Sequence, residues 1–417
     1  MVTTEKKNLL EQLTDAYTRK GHDKDPVRRQ AMELLRAKGL PAAKTEEYRF
    51  TPIVRSLEAN FAFHPPEVSV PTVDLLQVPN LKCSVIAFIN GIYSATHSNI
   101  LDPSIKVSIS SPNCGTKDSD PFDLLNQVFA AGEVVIDIPE HHTVAEPLAV
   151  VYYFDQKGYA FGNPRWSCRL GAGSKATLVE YTVAPAGNAF FNNKHSIIEA
   201  GSQSSLEYVM IQQGGREEIL LNNAWLKLAD SAEALCYTCT LDGQLVRNNL
   251  TLVLDGEKID AHLHGLYLAS GSSLIDNHTV VDHRKPNSFS NELYKGVLDG
   301  NGKAVFNGKI FVRPDAQKTN AFQTNRNILL SESSTIHTKP QLEIWADDVK
   351  CSHGCTTGQL DEEALFYLRS RGIPKDAARG MLLNAFAGET LEGIHHETIR
   401  AYVEQLVMKK LHSNPEA

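Results

Sequence analysis

The spacing of hydrophobic and polar positions divides the chain into three regions. Apolar residues recur three to four apart within about residues 1–60, as in Leu9, Leu10, Leu13 and Tyr17, which is typical of amphipathic helices. Between about 80 and 345 they form short β-like runs, and from about 360 to 411 the helical spacing returns. We therefore predict an N-terminal helical region that ends in a proline-marked linker (1–75; Pro65, Pro66, Pro71), a β core (76–358) and a C-terminal helical region (359–417).

A recurring unit, a turn followed by a strand, organises the later part of the β core. Its starts are Gly173, Gly201, Asp230, Gly256, Gly271, Asn301 and Glu332. Successive starts are separated by 28, 29, 26, 15, 30 and 31 residues. Units of this length can bury their apolar faces by stacking, as in a β-helix or a related solenoid. A β-sandwich is the alternative, although its turns usually recur at shorter intervals.

The C-terminal region contains ordinary signals for helix starts and ends. The acidic residues that begin at Asp361 suit the first turn of a helix, Gly372 can end that helix, and Pro374 can start the next one. These signals predict a compact helical unit that packs on its own domain or on a partner.

Composition and charge narrow the function classes. The chain has 417 residues, of which 42% are hydrophobic, and its net charge is −8, which argues against a general nucleic-acid-binding protein. We find no run of eighteen apolar residues and no signal-peptide core, so we predict a cytoplasmic protein with no membrane span. The seven cysteines are odd in number and mostly far apart, which is a poor pattern for disulfides.

The segment from Asp347 to Gly358 is the strongest candidate site. On a strand, Cys351 and His353 would share a face because side chains alternate, and a thiol beside an imidazole can bind zinc or iron. Cys355 could join them or face away. The alternative is a buried cysteine and a hydrogen-bonded histidine with no ligand role.

Other candidate sites are weaker. The thiols of Cys236 and Cys239 would face opposite sides of a strand and therefore favour core packing, and His262 and His264 are more typical of a polar row on a sheet. The segment that begins at Gly300 lacks the spacing of a phosphate-binding loop and is interpreted as a hairpin turn. We therefore expect the chain to bind no nucleotide.

Three segments together resemble one known family. The stretch from Glu343 to Ile373, with Phe366–Ile373 inside it, closely resembles the signature of the SufB/SufD family of iron–sulfur cluster assembly. Ala385–Glu389 and the weaker Lys44–Thr51 also match the family pattern. The His353-Gly354 pair resembles the SufD branch, whereas Cys355 departs from many relatives, which have alanine there.

The resemblance implies a mainly β fold, with a right-handed parallel β-helix core and helical regions at both ends. It implies a non-catalytic scaffold, not an enzyme, that pairs with a SufB-type subunit and allows a homodimer when isolated. His353 and Cys351, beside Cys355, would lie at that interface and share a transient iron–sulfur cluster with the partner. A SufC-type ATPase would dock on the C-terminal helices, at positions that include Phe366, Tyr367, Arg369, Arg371, Gly372 and Phe386.

Two alternatives stay open from the sequence. A SufB-like subunit would hold the cluster mainly by itself. A carbohydrate-active β-helix enzyme would need paired carboxylates in a groove and usually a secretory signal, and neither is evident.

Overall fold

A computed structural model describes residues 8–42, 44–60, 76, 78–112, 116, 119–155, 160–184 and 189–412. The predicted proline-marked linker, Pro65 to Pro71, and Cys114 lie outside the described residues. Strands account for 43% of the structure and helices for 24%, so the predicted mainly β class is confirmed. The division at residues 75/76 and 358/359 stays a prediction about domains.

The β core is a solenoid of about seven turns, which confirms the predicted coil stacking. Successive core strands alternate between two sheets, and each pairs in parallel with the strand one turn away. One sheet has ten strands: β1 Ser84–Ile89, β2 Ile92–Tyr93, β5 Leu148–Tyr153, β8 Lys175–Val183, β10 Ser205–Gln212, β12 Glu233–Thr240, β14 Asp260–Ala269, β16 Phe289–Leu298, β18 Asn320–Leu329 and β21 Lys350–Gly358.

The facing sheet has eleven strands. They are β3 Lys106–Ser110, β4 Glu133–Ile138, β6 Ala160–Gly162, β7 Arg165–Leu170, β9 Phe190–Ala200, β11 Glu218–Leu228, β13 Leu245–Leu254, β15 Leu274–His283, β17 Lys303–Val312, β19 Thr335–Thr338 and β20 Gln341–Ile344. Two pairs of the described strands are antiparallel, β1 with β2 and β3 with β4, and both lie at the N-terminal end of the solenoid.

The two sheets explain the uneven repeat. The turns at Gly173 through Gly256 precede strands of the ten-stranded sheet, whereas those at Gly271, Asn301 and Glu332 precede strands of the eleven-stranded sheet. The interval of 15 residues is therefore half a coil. For the same reason the hairpin prediction at Gly300 is wrong, because this turn joins β16 to β17, which lie in different sheets and do not pair.

Apolar side chains fill most of the space between the sheets. Buried residues from every complete coil, such as Tyr208, Leu252 and Phe306, form one continuous cluster there. Each large apolar side chain that is fully buried contributes roughly 1.5–3 kcal/mol relative to exposure. Polar groups are also enclosed: Lys194 pairs with Glu180 across the interior.

Helices cover the outer faces of both sheets. An N-terminal group packs on the eleven-stranded sheet, and α6 and α7 pack on the ten-stranded sheet. The helices of the described residues are α1 Leu9–Arg19, α2 Pro26–Lys38, α3 Ile53–Asn60, α4 Pro121–Phe129, α5 Glu362–Ser370, α6 Lys375–Leu391 and α7 Glu397–His412. The helical regions at both ends are thus confirmed. Helix α4 interrupts the region predicted to be β; its start signal is Asp120, which caps the helix, followed by Pro121.

Candidate functional site

The terminal strand β21 carries the candidate site. It pairs with β18 alone among the described strands, so its second edge is open. In this register Cys351 lies beside Ala321, His353 beside Gln323, and Cys355 beside Asn325. These three β18 residues are buried and face the interior, so Cys351, His353 and Cys355 form one row on the inward face of the last coil. We call these three residues the terminal row. The sequence left open whether Cys355 would join the other two, and the register shows that it does.

The terminal row is accessible because no further coil covers it in the part of the chain that the structure describes. Cys351 is half-buried against the core, and partial burial raises the pKa of its thiol. His353 and Cys355 are exposed. Alternate residues on a strand are about 6–7 Å apart, too far for all three to bind one metal ion in this conformation. Within the described residues no group of three or more His, Cys, Asp or Glu is arranged to hold a metal ion.

A layer of buried polar side chains lies beneath the terminal row. The Nε2 of Gln323 donates to the Oε2 of Glu292 at 2.6 Å, and the Nδ2 of Asn325 donates to the hydroxyl of Tyr267 at 3.0 Å. Burial raises the pKa of Glu292 to about 7, against the lowering effect of its hydrogen bonds. Hydrogen-bonding groups therefore lie directly beneath the terminal row. At the register position of Glu292, the two preceding coils have the apolar side chains of Leu263 and Cys236.

Helix α5 presents an exposed surface after the terminal strand. Asp361 caps the helix, and its Oδ1 accepts from the backbone N–H groups of Glu363 and Ala364 at 2.9 and 3.0 Å. Phe366 and Tyr367 are 73% and 57% exposed. The predicted docking residues Arg369, Arg371 and Gly372 are exposed at the end of the same helix.

Phe386 differs from the other predicted docking residues. It lies on α6, is partly buried against the ten-stranded sheet, and has the ammonium of Lys295 4.5 Å from its ring centre. Lys295 also donates to the backbone oxygen of Phe386 at 2.7 Å. The structure therefore places Phe386 in the packing that attaches α6 to the solenoid.

The weaker candidates of the sequence have structural partners. Cys236 and Cys239 are fully buried on opposite faces of β12, as predicted. The rings of His262 and His264 lie 6.0 Å apart on the outer face of β14. His262 pairs with Asp260 at 3.0 Å, and burial lowers the pKa of His264 to about 4.

Sequence reasoning missed a buried ionic cluster that holds the N-terminal segment. An Nη atom of Arg247 lies 2.6 Å from the Oδ2 of Asp276, and the Arg247 guanidinium lies over the Tyr48 ring at 4.1 Å. Glu47 contacts His278 and Lys309, and its hydrogen bond with His278 lowers its pKa to about 2. The segment Lys44–Thr51 was the signal available in the sequence, because Glu47 and Tyr48 belong to it.

Comparison with known proteins decides the family. The model of the SUF system FeS cluster assembly SufBD core domain matches residues 153–386, and that of the SufBD protein N-terminal region matches residues 22–111. The chain belongs to the SufBD family. It is SufD-like: it is 30% identical over 413 residues to the iron–sulfur cluster assembly protein SufD of Escherichia coli (strain K12), covering 97% of each chain.

Other SufBD relatives align over similar lengths. An iron–sulfur cluster assembly SufBD family protein of Synechocystis is 28% identical over 405 residues, which cover 91% of this chain and 89% of that protein. The chloroplastic protein ABCI7 of Arabidopsis thaliana is 26% identical over 422 residues, with 94% and 88% covered. Membership of the SufBD family leaves no support for the carbohydrate-active alternative. Across the described residues, the helices are too short or too polar to span a membrane.

Proposed function

We propose that the chain is a SufD-type, non-catalytic scaffold subunit that assembles with SufB-type and SufC-type subunits. The iron–sulfur cluster is the material that this complex builds and passes on, and this chain holds it only in transit. The observation that carries the proposal is the terminal row: a thiol, an imidazole and a second thiol on the open last coil of the solenoid.

The open edge of β21 supports pairing with a SufB-type subunit. A nine-residue strand with one unpaired edge offers backbone N–H and C=O groups to a strand of another chain. The inward face beside that edge carries Cys351 and His353, whose spacing does not form a closed metal site. Thiolates from a partner could complete a ligand set with a neutral imidazole from this chain.

The surface of α5 supports docking of a SufC-type ATPase. Phe366 and Tyr367 are large aromatic residues that are mostly exposed on one short helix directly after the terminal strand. Aromatic residues of this kind are frequent binding hot spots. Movement of a docked ATPase would reach the terminal row through Leu360 and Asp361, and could open or close the interface there.

A SufB-like role is the second candidate, and the terminal row itself favours it. Two thiols and an imidazole are suitable iron ligands, so this chain could hold a cluster alone if β21 changed conformation. The two roles differ in what the isolated chain does. The second role predicts an iron–sulfur chromophore on the isolated chain after anaerobic reconstitution, whereas the proposed role predicts a colourless chain.

Co-expression with SufB-type and SufC-type subunits tests the proposal. We expect a complex with defined stoichiometry that shows iron–sulfur absorbance, and an isolated chain without it. A chromophore of equal intensity on the isolated chain would contradict the scaffold role and support the SufB-like one.

The docking surface is tested by a double substitution, Phe366→Ala with Tyr367→Ala. Loss of two aromatic hot spots should weaken binding of the SufC-type subunit at least about tenfold, measured by titration calorimetry. Met408→Ala on α7, which also removes a half-exposed apolar side chain, is the matched control and should leave the affinity unchanged. Equal affinities for both variants would place the dock elsewhere.

A further inference from the structure

Gln323 lies directly beneath His353 in the register of β18 and β21. Its side chain is almost fully buried, and its Nε2 donates to the Oε2 of Glu292 at 2.6 Å. Its Oε1 is enclosed and has no hydrogen-bond partner among the described residues. Buried acceptors usually have a donor. Several enclosed side-chain atoms among the described residues lack one, including the Oε1 of the neighbouring Glu292, and Gln323 is the one that lies beneath the terminal row.

Two neighbours hold the Gln323 amide in one orientation. Above its pKa of about 7, Glu292 is ionised and can only accept hydrogen bonds, so the NH₂ group of Gln323 faces Glu292 and the Oε1 is left for another donor. On the facing sheet, Gly308 leaves room for the amide, because a Cβ at position 308 would overlap the Nε2 of Gln323. Above that pH the Glu292 carboxylate therefore keeps the amide from turning over, and the room at Gly308 lets it keep this position.

The imidazole of His353 lies next in register to Gln323 and can donate to this acceptor after a rotation of its side chain; the conformation described does not contain that hydrogen bond. Neighbouring strands are about 4.8 Å apart, and residues in register on the same face stack on each other. A neutral imidazole has one N–H and one lone pair, and a hydrogen bond to the N–H decides which nitrogen is free to bind a metal.

We propose that Gln323 is a positioning residue for His353: when the imidazole turns inward, the Gln323 Oε1 accepts its ring N–H, and the other ring nitrogen is left facing the open end of the solenoid. Glu292 and Gly308 act through Gln323. The contact itself needs only this chain, but its consequence for cluster assembly rests on the proposed function.

The next residue of the polar layer shows why Gln323 stands out. Asn325 lies beneath Cys355, and both ends of its amide are occupied. Its Nδ2 donates to the Tyr267 hydroxyl and the Tyr294 backbone oxygen at 3.0 and 3.2 Å, and its Oδ1 accepts from Asn327 at 2.8 Å. Asn325 has no free acceptor for the terminal row, whereas Gln323 has one.

Ring-nitrogen NMR of the full-length chain labelled with ¹⁵N-histidine tests the contact. The His353 signals are assigned by their loss in His353→Gln. At pH 8, where Glu292 is ionised, we expect one neutral tautomer of His353 to dominate in the natural chain. In Gln323→Met the ratio of tautomers should change about fivefold toward the value of an exposed histidine, as loss of one hydrogen bond implies.

Two further variants keep the test decisive. Gly308→Ala displaces the amide without removing it and should shift the ratio in the same direction. Asn327→Ser changes an equally buried amide beneath Thr357 and should leave the His353 tautomer unchanged. An unchanged ratio in both Gln323→Met and Gly308→Ala, or an equal shift in Asn327→Ser, would overturn the proposal.

The iron–sulfur absorbance of the co-expressed complex separates this inference from the proposed function. Gln323→Met should lower the absorbance several-fold while the three subunits still co-purify. If the tautomer shifts but His353→Ala complexes load normally, the proposed function fails and the positioning contact stands. If the tautomer does not shift but His353→Ala abolishes loading, only the positioning contact fails.

Discussion

Strands β12 and β21 belong to the same sheet and each carries two cysteines, yet their thiols have opposite properties. Cys236 and Cys239 of β12 are fully buried, and burial raises the pKa of Cys236 to about 12 and that of Cys239 still further. Cys351 is half-buried and Cys355 is exposed. The first pair faces opposite sides of its strand, whereas the second shares one face.

Position in the solenoid causes this difference. β12 lies between β10 and β14 and is covered on its outer face by the C-terminal helices, whereas β21 has a neighbour on one side only among the strands that the structure describes. A CxxC pattern therefore has a packing role here, and a less familiar pattern on the last coil provides the accessible groups. The end of the stack, not the cysteine motif, determines which thiols can react.

Alkylation with iodoacetamide should show the largest contrast between the two strands. Thiolates react and buried thiols do not, so Cys355 should be modified at least about 1000-fold faster than Cys236 or Cys239 in the native chain. Cys351 should be intermediate, because burial raises its pKa. Peptide mass spectrometry measures the rates, and denaturant should make all sites react alike. Comparable native rates at Cys236 and Cys355 would refute the contrast.

The acid beneath the terminal row should make stability depend on pH. Glu292 has a folded-state pKa of about 7, raised by burial above its ordinary value of 4.5. The folded chain therefore holds this proton more tightly than the unfolded chain, and its stabilising contribution is lost as pH rises through about 7. Glu218, with a pKa raised by burial to about 8, acts in the same direction.

Glu292→Gln removes this titration, so it shows how much of the pH dependence of stability comes from the buried carboxyl beneath the terminal row. We expect the natural chain to lose on the order of 2 kcal/mol more stability than Glu292→Gln between pH 5 and pH 8. Urea unfolding at both pH values measures the loss. Glu363→Gln on the exposed start of α5 is the control and should behave as the natural chain does. Identical losses in the natural chain and in Glu292→Gln would show that Glu292 does not titrate in this range.

Serine substitutions should also affect β12 more than β21, but the difference, measured as unfolding free energy, should be smaller. Cys236→Ser places a hydroxyl in a fully buried position within the core and should cost about 1–2 kcal/mol of unfolding free energy. Cys355→Ser at the exposed end should change it by less than about 0.5 kcal/mol. Chemical denaturation monitors both variants. A destabilising Cys355→Ser would mean that β21 is covered in the isolated chain.

The coil stacking could be predicted from turns such as Gly201 and Asp230, because each turn recurs at the same corner of successive coils. The assignment of strands to two sheets could not be predicted. The turns at Gly256 and Gly271 both begin with glycine, yet they precede strands of different sheets. The shared face of Cys351 and His353 follows from strand alternation, whereas the position of Cys355 stayed open because Gly354 allowed the chain to turn before it. The exposure of the terminal row does not follow from the sequence, because exposure depends on the absence of a further coil.

Long-range pairs account for the rest of what the sequence did not show. Arg247, which pairs with Asp276, contacts Glu47 and Tyr48 across about 200 residues of chain, and no local pattern predicts such a contact. Gln323 is an ordinary polar residue in the sequence. The positioning role that we propose for Gln323 depends on three neighbours from three other strands: Glu292, Gly308 and His353.

The iron–sulfur absorbance of a co-expressed complex containing His353→Ala tests most directly whether the terminal row takes part in cluster assembly. Thr357→Ala, on the same exposed face of β21, is the matched control. We expect the His353→Ala complex to co-purify with unchanged stoichiometry and less than about a tenth of the absorbance. The reason is that no other side chain replaces the lost imidazole as a ligand. Thr357→Ala should load normally. Full absorbance in the His353→Ala complex would contradict a role for the terminal row in cluster assembly.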